Sequence, residues 1–188
     1  MTELWLVRHG QTDWNLTGRW QGQAAEAPGL NDTGRAQVLT ICEQLKGRRL
    51  SAIYSSDLLR AHQTAALIAE SQGLPVTLEP RLREINLGSW EGMPSEEIEE
   101  KYSLELAERA RNPVQARAPN GESPREVAER VLVAINEIAS KHRDESILIV
   151  SHAVSLAVII CRSEGFSMED VYQHIPDNAH AYRVQWHR

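Results

Sequence analysis

The chain has 188 residues, 41% of them hydrophobic and 24% charged, with a formal net charge of −6. That composition is globular rather than disordered, the length suits one domain over residues 1–188, and the acidic balance argues against nucleic-acid binding through a broad basic face. No apolar run reaches the ~20 residues of a membrane span and no basic-then-apolar leader opens the chain, so a cytoplasmic, membrane-free protein is expected.

The first element is Leu4–Val7, a continuous apolar run that reads as a strand buried on both faces and ends at Arg8-His9-Gly10. A helix is predicted over 34–46, with Ala36, Leu39, Cys42 and Leu45 on one side and Gly47 as its stop. Ala52–Ser55 reads as a short strand. Ser56 and Asp57 offer N-caps for a helix that runs to about Gln72 and ends at Gly73. Val76–Leu78 is a third strand.

Residues 92–121 differ in character. Pro94, the run Glu96-Glu97-Ile98-Glu99-Glu100 and a Pro-containing loop from Asn112 to Gly121 predict two short helices and a loop, a candidate substrate-selecting cap. The glutamate run reads equally well as a solvated helix face. Ser123, Pro124 and Glu126 form a capping-box start, and Val127, Val131, Ile135 and Ile138 follow as one apolar stripe. Ile147–Val150 is a second buried strand, ending at Ser151-His152 and followed by a helix through Cys161. Ala179–Trp186 closes the chain as a last strand.

Strands alternating with helices predict an α/β fold with a mostly parallel sheet. Ligands of such sheets bind beyond the carboxyl ends of the strands. His9 and His152 each follow a buried strand directly, and Arg60 lies in the first turn of a helix after another. Three groups far apart in sequence are thus expected at one sheet edge. A phosphate placed there meets the planar donor forks of Arg8 and Arg60 and the N–H groups of a helix start near Leu58 to Arg60. His9 is a nucleophile when neutral, a state favoured by an unperturbed pKa of ~6.5 and two neighbouring guanidiniums. His152 can donate to an equatorial phosphate oxygen. A leaving alkoxide needs a proton, for which Glu84 is the candidate, given a pocket that favours its acid form. Taken singly, each of these residues has an ordinary structural role; their conjunction carries the reading.

LVRHGQTDWN at residues 6–15, RWQG at 19–22, LNDTG at 30–34, YSSDLLRAHQTA at 54–65, LREINLGSWEG at 82–92, PNGES at 119–123 and VSHAVSL at 150–156 together resemble the histidine phosphatase superfamily, in its phosphoglycerate mutase-like branch. The resemblance implies a three-layer α/β/α sandwich with a mostly parallel, about six-stranded sheet and a small helical cap. It implies His9 as phospho-accepting nucleophile, with Arg8, Asn15, Arg60 and His152 around the phosphate and Glu84 as acid and later base. Gln21 and Gly22 match a pocket-lining segment. No metal and no cofactor are implied. Ala153 and Val154 stand where the family usually has glycine, so the backbone contact at Ala153 is the point of departure.

The same chemistry serves a hydrolase or a mutase. The cap is acidic in part, with the arginines Arg109, Arg111 and Arg117 as its evident basic candidates, which favours hydrolysis of a small phosphomonoester. Phosphoglycerate mutase is the alternative, and a non-catalytic phospholigand-binding domain a further one. Cys42 to Arg48 spells C-x5-R, but Cys42 sits on a predicted helix stripe rather than on a phosphate-cradling loop. Both Cys42 and Cys161 are expected as reduced, buried packing residues. The histidines have no metal-ligand spacing, and the sequence leaves the oligomeric state unspecified.

Overall fold

The computed structural model describes residues 1–187. Five strands build one sheet: β1 (Thr2–Arg8), β2 (Ala52–Ser55), β3 (Val76–Leu78), β4 (Ser146–Ser151) and β5 (Ala181–Trp186), in the order β3-β2-β4-β1-β5. The first four in that order run parallel, and β5 pairs antiparallel with β1. The strand side chains alternate between two cores, as the period of two requires. Leu4, Leu6, Ile147 and Ile149 pack with Val127, Val131, Ile135 and Ile138 of α6 (Pro124–Lys141) and with α7 (Ala153–Glu164). Val7, Ile53, Leu148 and Val150 face α2 (Asp32–Leu45) and α3 (Leu59–Gln72). The result is helix, sheet, helix in three layers. Truncating one of these fully buried aliphatics to alanine costs ~2–5 kcal/mol.

The about six strands implied by the resemblance become five among the described residues. The stretch after β3 instead makes two 3-10 turns, Pro80–Leu82 and Gly88–Trp90. Between them the carbonyls of residues 82–84 accept from side chains rather than from a strand.

Helix ends follow their caps. Asn31 Oδ1 accepts from Gly34 N at 2.8 Å and starts α2 two residues earlier than predicted. Ser56 and Asp57 are not the N-cap of α3. Leu58 holds that position without a side-chain bond. Asp57 instead takes both forks of Arg83, at 2.7 and 2.6 Å, and Ser56 Oγ accepts from Leu58 N. Gly73, at φ 66°, ends α3 in the left-handed conformation. The Ser123–Glu126 capping box of α6 is formed as expected. Cys161 is buried but Cys42 only partly so, against the expectation for the latter; both are free thiols, and Cys42 lies within α2.

α1 (Asp13–Leu16) follows β1 as a single turn. The 92–121 segment contains α4 (Ser95–Lys101) and α5 (Ser103–Arg111), then a loop to Ser123. Trp20 staples it down: its backbone exchanges bonds with Gly92 and Met93, and its indole donates to Ser95 Oγ at 2.9 Å. Among the described residues no helix is long and apolar enough to cross a membrane.

Candidate active site

The site follows from strand register. Arg8 pairs with Ser151 across β1 and β4, so the next residues, His9 and His152, leave the sheet side by side with ring centroids 5.2 Å apart. Ser55 of β2 pairs with Val150, which brings Ser56 and the start of α3 to the same edge. A cleft of ≈ 260 Å³ opens there, lined by Arg8, His9, Asn15, Gln21, Gly22, Arg60, Glu84, Ala153 and Val154, with Arg19, Trp20 and Arg109 among its further walls.

His9 is 3% exposed. Its Nδ1 lies 2.8 Å from Gly10 O, which only accepts, so Nδ1 carries the proton. Nε2 therefore presents its lone pair, and Arg60 Nε donates to it at 3.2 Å. Burial holds the His9 pKa well below its ordinary value, and the Arg60 and Arg8 cations push it the same way, against the Gly10 bond. His9 is neutral at physiological pH, in the tautomer a nucleophilic Nε2 requires.

Arg60 is 2% exposed and also donates Nη2 to Gly22 O at 2.8 Å. Burial lowers its pKa to about 10, opposed by Glu84, so it stays cationic at neutral pH. Gly22 has φ 47°, and a Cβ there would collide with the Glu91 carboxylate. Glycine is thus required where this carbonyl turns toward Arg60. Arg8 donates Nη1 to Pro176 O at 2.9 Å, while its buried Nε has no partner. Burial lowers the Arg8 pKa, with Glu84 and Asp177 opposing.

His152 is fully buried at the N-cap of α7. Its Nε2 lies 2.8 Å from Ser56 Oγ, and its Nδ1 is buried without a partner. Burial foremost, then Arg60, His9, Arg8 and Arg130, holds its pKa well down. A proton on Nδ1 then requires the Ser56 hydroxyl to donate to Nε2, which the Leu58 N–H bond to the same oxygen permits. Arg8 Nε, on a residue that lines the cleft, and His152 Nδ1, on a fully buried residue that does not line it but lies beside His9, are both without a partner, as is Trp90 Nε1 in the core. Buried polar nitrogens left unpaired are rare unless something else completes them.

The remaining expected residues gather as well. Asn15 Oδ1 accepts from Thr12 N, which leaves its Nδ2 as the free donor, and Gln21 Oε1 accepts from Thr12 Oγ1. Glu84 is 8% exposed, with Oε1 accepting from Ile85 N at 2.9 Å and Val154 N at 3.1 Å. Ala153 lines the cleft at the first position of α7, where backbone N–H groups have no intrahelical partner. Of the first turn of α3, expected to supply such donors, only Arg60 is among the lining residues.

Of Arg109, Arg111 and Arg117, Arg109 alone lines the cleft, its guanidinium 4.8 Å from the Trp20 ring centre and 4.2 Å from that of Tyr172. Arg111 and Arg117 are turned to Glu108 and Glu126. Trp90 is core, 1% exposed and edge-on to Trp20. Sequence reasoning passed over Thr12, Ser56, Tyr172 and Arg130. Thr12 and Ser56 had a signal, since each adjoins a strand-end motif; Tyr172, which stacks on Arg109, and Arg130, which bonds the backbone at Glu84, meet residues of the site only through the tertiary fold. Among the described residues, no three or more His, Cys, Asp or Glu side chains cluster as metal ligands.

The model of the histidine phosphatase superfamily, branch 1, matches residues 4–188. The chain is 35% identical over 95% of its length to phosphoserine phosphatase 1 of Hydrogenobacter thermophilus, spanning 84% of that protein. It is 39% identical over 86% of its length to a metal-independent phosphoserine phosphatase of Arabidopsis thaliana, spanning 68% of it. A probable phosphoglycerate mutase of Erwinia tasmaniensis is 35% identical over 85% of this chain and 74% of its own. Among solved structures, a mycobacterial glucosyl-3-phosphoglycerate phosphatase with VO3 superposes with a TM-score of 0.88 at 30% identity, covering 99% of this chain and 92% of that one. Fold, site geometry and these likenesses agree: the chain belongs to the histidine phosphatase superfamily, branch 1.

Proposed function

We propose that the protein is a metal-independent phosphomonoester hydrolase that works through a phosphohistidine at His9 Nε2. The observation that carries this reading is the buried, neutral His9, with its lone pair held toward Arg60 in a cleft lined by Arg8, whose Nε has no partner, and beside His152, whose Nδ1 has none. A phosphate entering the cleft takes Arg60 Nε from His9 and receives the Arg8, His152 and Asn15 donors. His9 Nε2 then forms a bond to phosphorus as the ester P–O bond breaks, and Glu84 gives the departing alkoxide its proton. The Nδ1–H bond to Gly10 O steadies the phosphoimidazole. In the second step Glu84 takes a proton from water, the water oxygen bonds to phosphorus, and the N–P bond returns its electrons to His9, releasing inorganic phosphate. Fixed guanidinium and N–H donors stabilise the charge on the equatorial oxygens in both steps.

The substrate we infer is a small phosphorylated metabolite, and a carboxylate-bearing one is favoured by Arg109 in the cleft lining, within a cap at about 92–121. The two free thiols fit a reducing compartment, and a cytoplasmic location belongs to this reading. The mutase alternative needs a second substrate hydroxyl to replace water, in a cleft to which the cap brings one arginine. Phosphate release measured on phosphoserine, 3-phosphoglycerate and sugar phosphates tests the proposal. Phosphate released in step with substrate loss supports it. Primer-dependent isomerisation of 3-phosphoglycerate without phosphate release establishes the mutase instead, and binding without turnover across the panel establishes a binding domain.

A further inference from the structure

Glu84 sits on a stretch, residues 83–87, that belongs to no helix or strand, yet proton transfer needs its carboxyl group fixed to a fraction of an ångström. Ile85 N and Val154 N hold the carboxylate itself, and Gln23, Ser151 and Ser155 each give one bond to the carbonyls of residues 82–84; the side chain that makes most bonds to this backbone is Arg130 on α6. Arg130 donates Nε and Nη2 to the two carboxylate oxygens of Glu122, both at 2.9 Å. Its Nη1 donates to Arg81 O at 2.8 Å and Arg83 O at 2.7 Å, and Nη2 also donates to Glu84 O at 2.9 Å. A guanidinium has five N–H donors, and all five are spent here, three of them on the backbone around the candidate acid. Glu122 completes the grip by accepting from Asn86 N at 2.8 Å. The partners are only partly exposed, 19% and 25% at the side chains, so little water competes.

We propose that Arg130 is a positioning residue for the acid step: it holds the Glu84 backbone so that the carboxyl group faces the leaving-group oxygen. It touches no substrate and does not line the cleft. The inference rests on Glu84 being the proton donor, as proposed above.

The test compares kcat/KM, which reports the steps through phosphoenzyme formation, for an alkyl phosphate and for 2,4-dinitrophenyl phosphate, whose leaving group hardly needs a proton. Glu84→Gln is expected to lose ~10²-fold or more on the alkyl ester, in line with general acid catalysis, and less than ~10-fold on the aryl ester. Arg130→Gln is expected to lose ~10-fold or more on the alkyl ester and to stay within ~3-fold on the aryl ester. The double variant is expected to match Glu84→Gln on the alkyl ester within ~3-fold, because both changes disable one function. Arg130→Lys keeps the charge with three donors that cannot span this set. It is expected to shift the same ratio, and it carries the test if Arg130→Gln does not yield folded protein by circular dichroism. Equal losses on the two esters in the Arg130 variants, no loss on either, or losses that multiply in the double variant overturn the inference. Equal losses in Glu84→Gln alone overturn the acid assignment beneath it.

Discussion

Replacing Arg60 with methionine removes the central cation of the site while nearly preserving side-chain bulk. Arg60 is 2% exposed, charged at neutral pH, and donates Nε to His9. Once a phosphate takes that position, two charge-assisted bonds from the guanidinium are at stake. At about 1.5–3 kcal/mol each they amount to ~3–6 kcal/mol. With about 1.4 kcal/mol per factor of ten, kcat/KM is expected to fall by ~10²–10⁴-fold. A second readout follows from the electrostatics. After burial, Arg60 is the largest influence keeping the His9 pKa down, so its removal moves that pKa upward, toward the ordinary ~6.5. Imidazole NMR titration of the free proteins reads this directly. In the parent protein the His9 resonances are expected not to titrate through the neutral range, and in Arg60→Met the titration is expected to move to higher pH. A loss in kcat/KM below ~10-fold, or an unmoved or lowered His9 titration in a folded variant, refutes the reasoning.

Three further outcomes are expected. Burial keeps both His9 and His152 neutral in the folded state, whereas the unfolded chain protonates them near pH ~6.5. Their contribution to stability is therefore present above that pH and lost as pH falls toward their depressed folded values, at about 1.4 kcal/mol per pH unit for each histidine. Urea unfolding between about pH 7.5 and 5 measures it, and a slope left unchanged by His152→Gln contradicts it. Arg109→Met is expected to lower kcat/KM ~10-fold or more for phosphoesters carrying a carboxylate and to leave uncharged leaving groups within ~3-fold; equal effects on both remove Arg109 from substrate selection. EDTA is expected to leave turnover unchanged, and inhibition reversed by a divalent cation contradicts the metal-free mechanism.

What the sequence made legible followed from local rules. The runs Leu4–Val7 and Ile147–Val150 revealed buried parallel strands, and the residues after them had to reach the ligand-binding edge. That placed His9 and His152 before any distance was known, and the register of Arg8 with Ser151 shows why. The Ser123–Glu126 start of α6 was equally plain, because a capping box is written within four residues. Ser56 and Asp57 misled because both resemble caps, and only the fold shows that Arg83 takes the Asp57 carboxylate. Arg130 was invisible for the same reason. Its acceptors are carbonyls 46–49 positions away, on a segment with no periodicity of its own. Arg109 was one of three cap arginines in the sequence, and only the rings of Trp20 and Tyr172 single it out.

The central claim is that the His9 imidazole bonds to phosphorus during turnover. Rapid mixing with a 32P-labelled monoester, quenching in alkaline denaturant that preserves phosphohistidine, and peptide mapping test it. The account predicts one acid-labile label on the peptide containing His9, absent from His9→Ala; a turning-over enzyme with no label, or with label on another side chain, contradicts it.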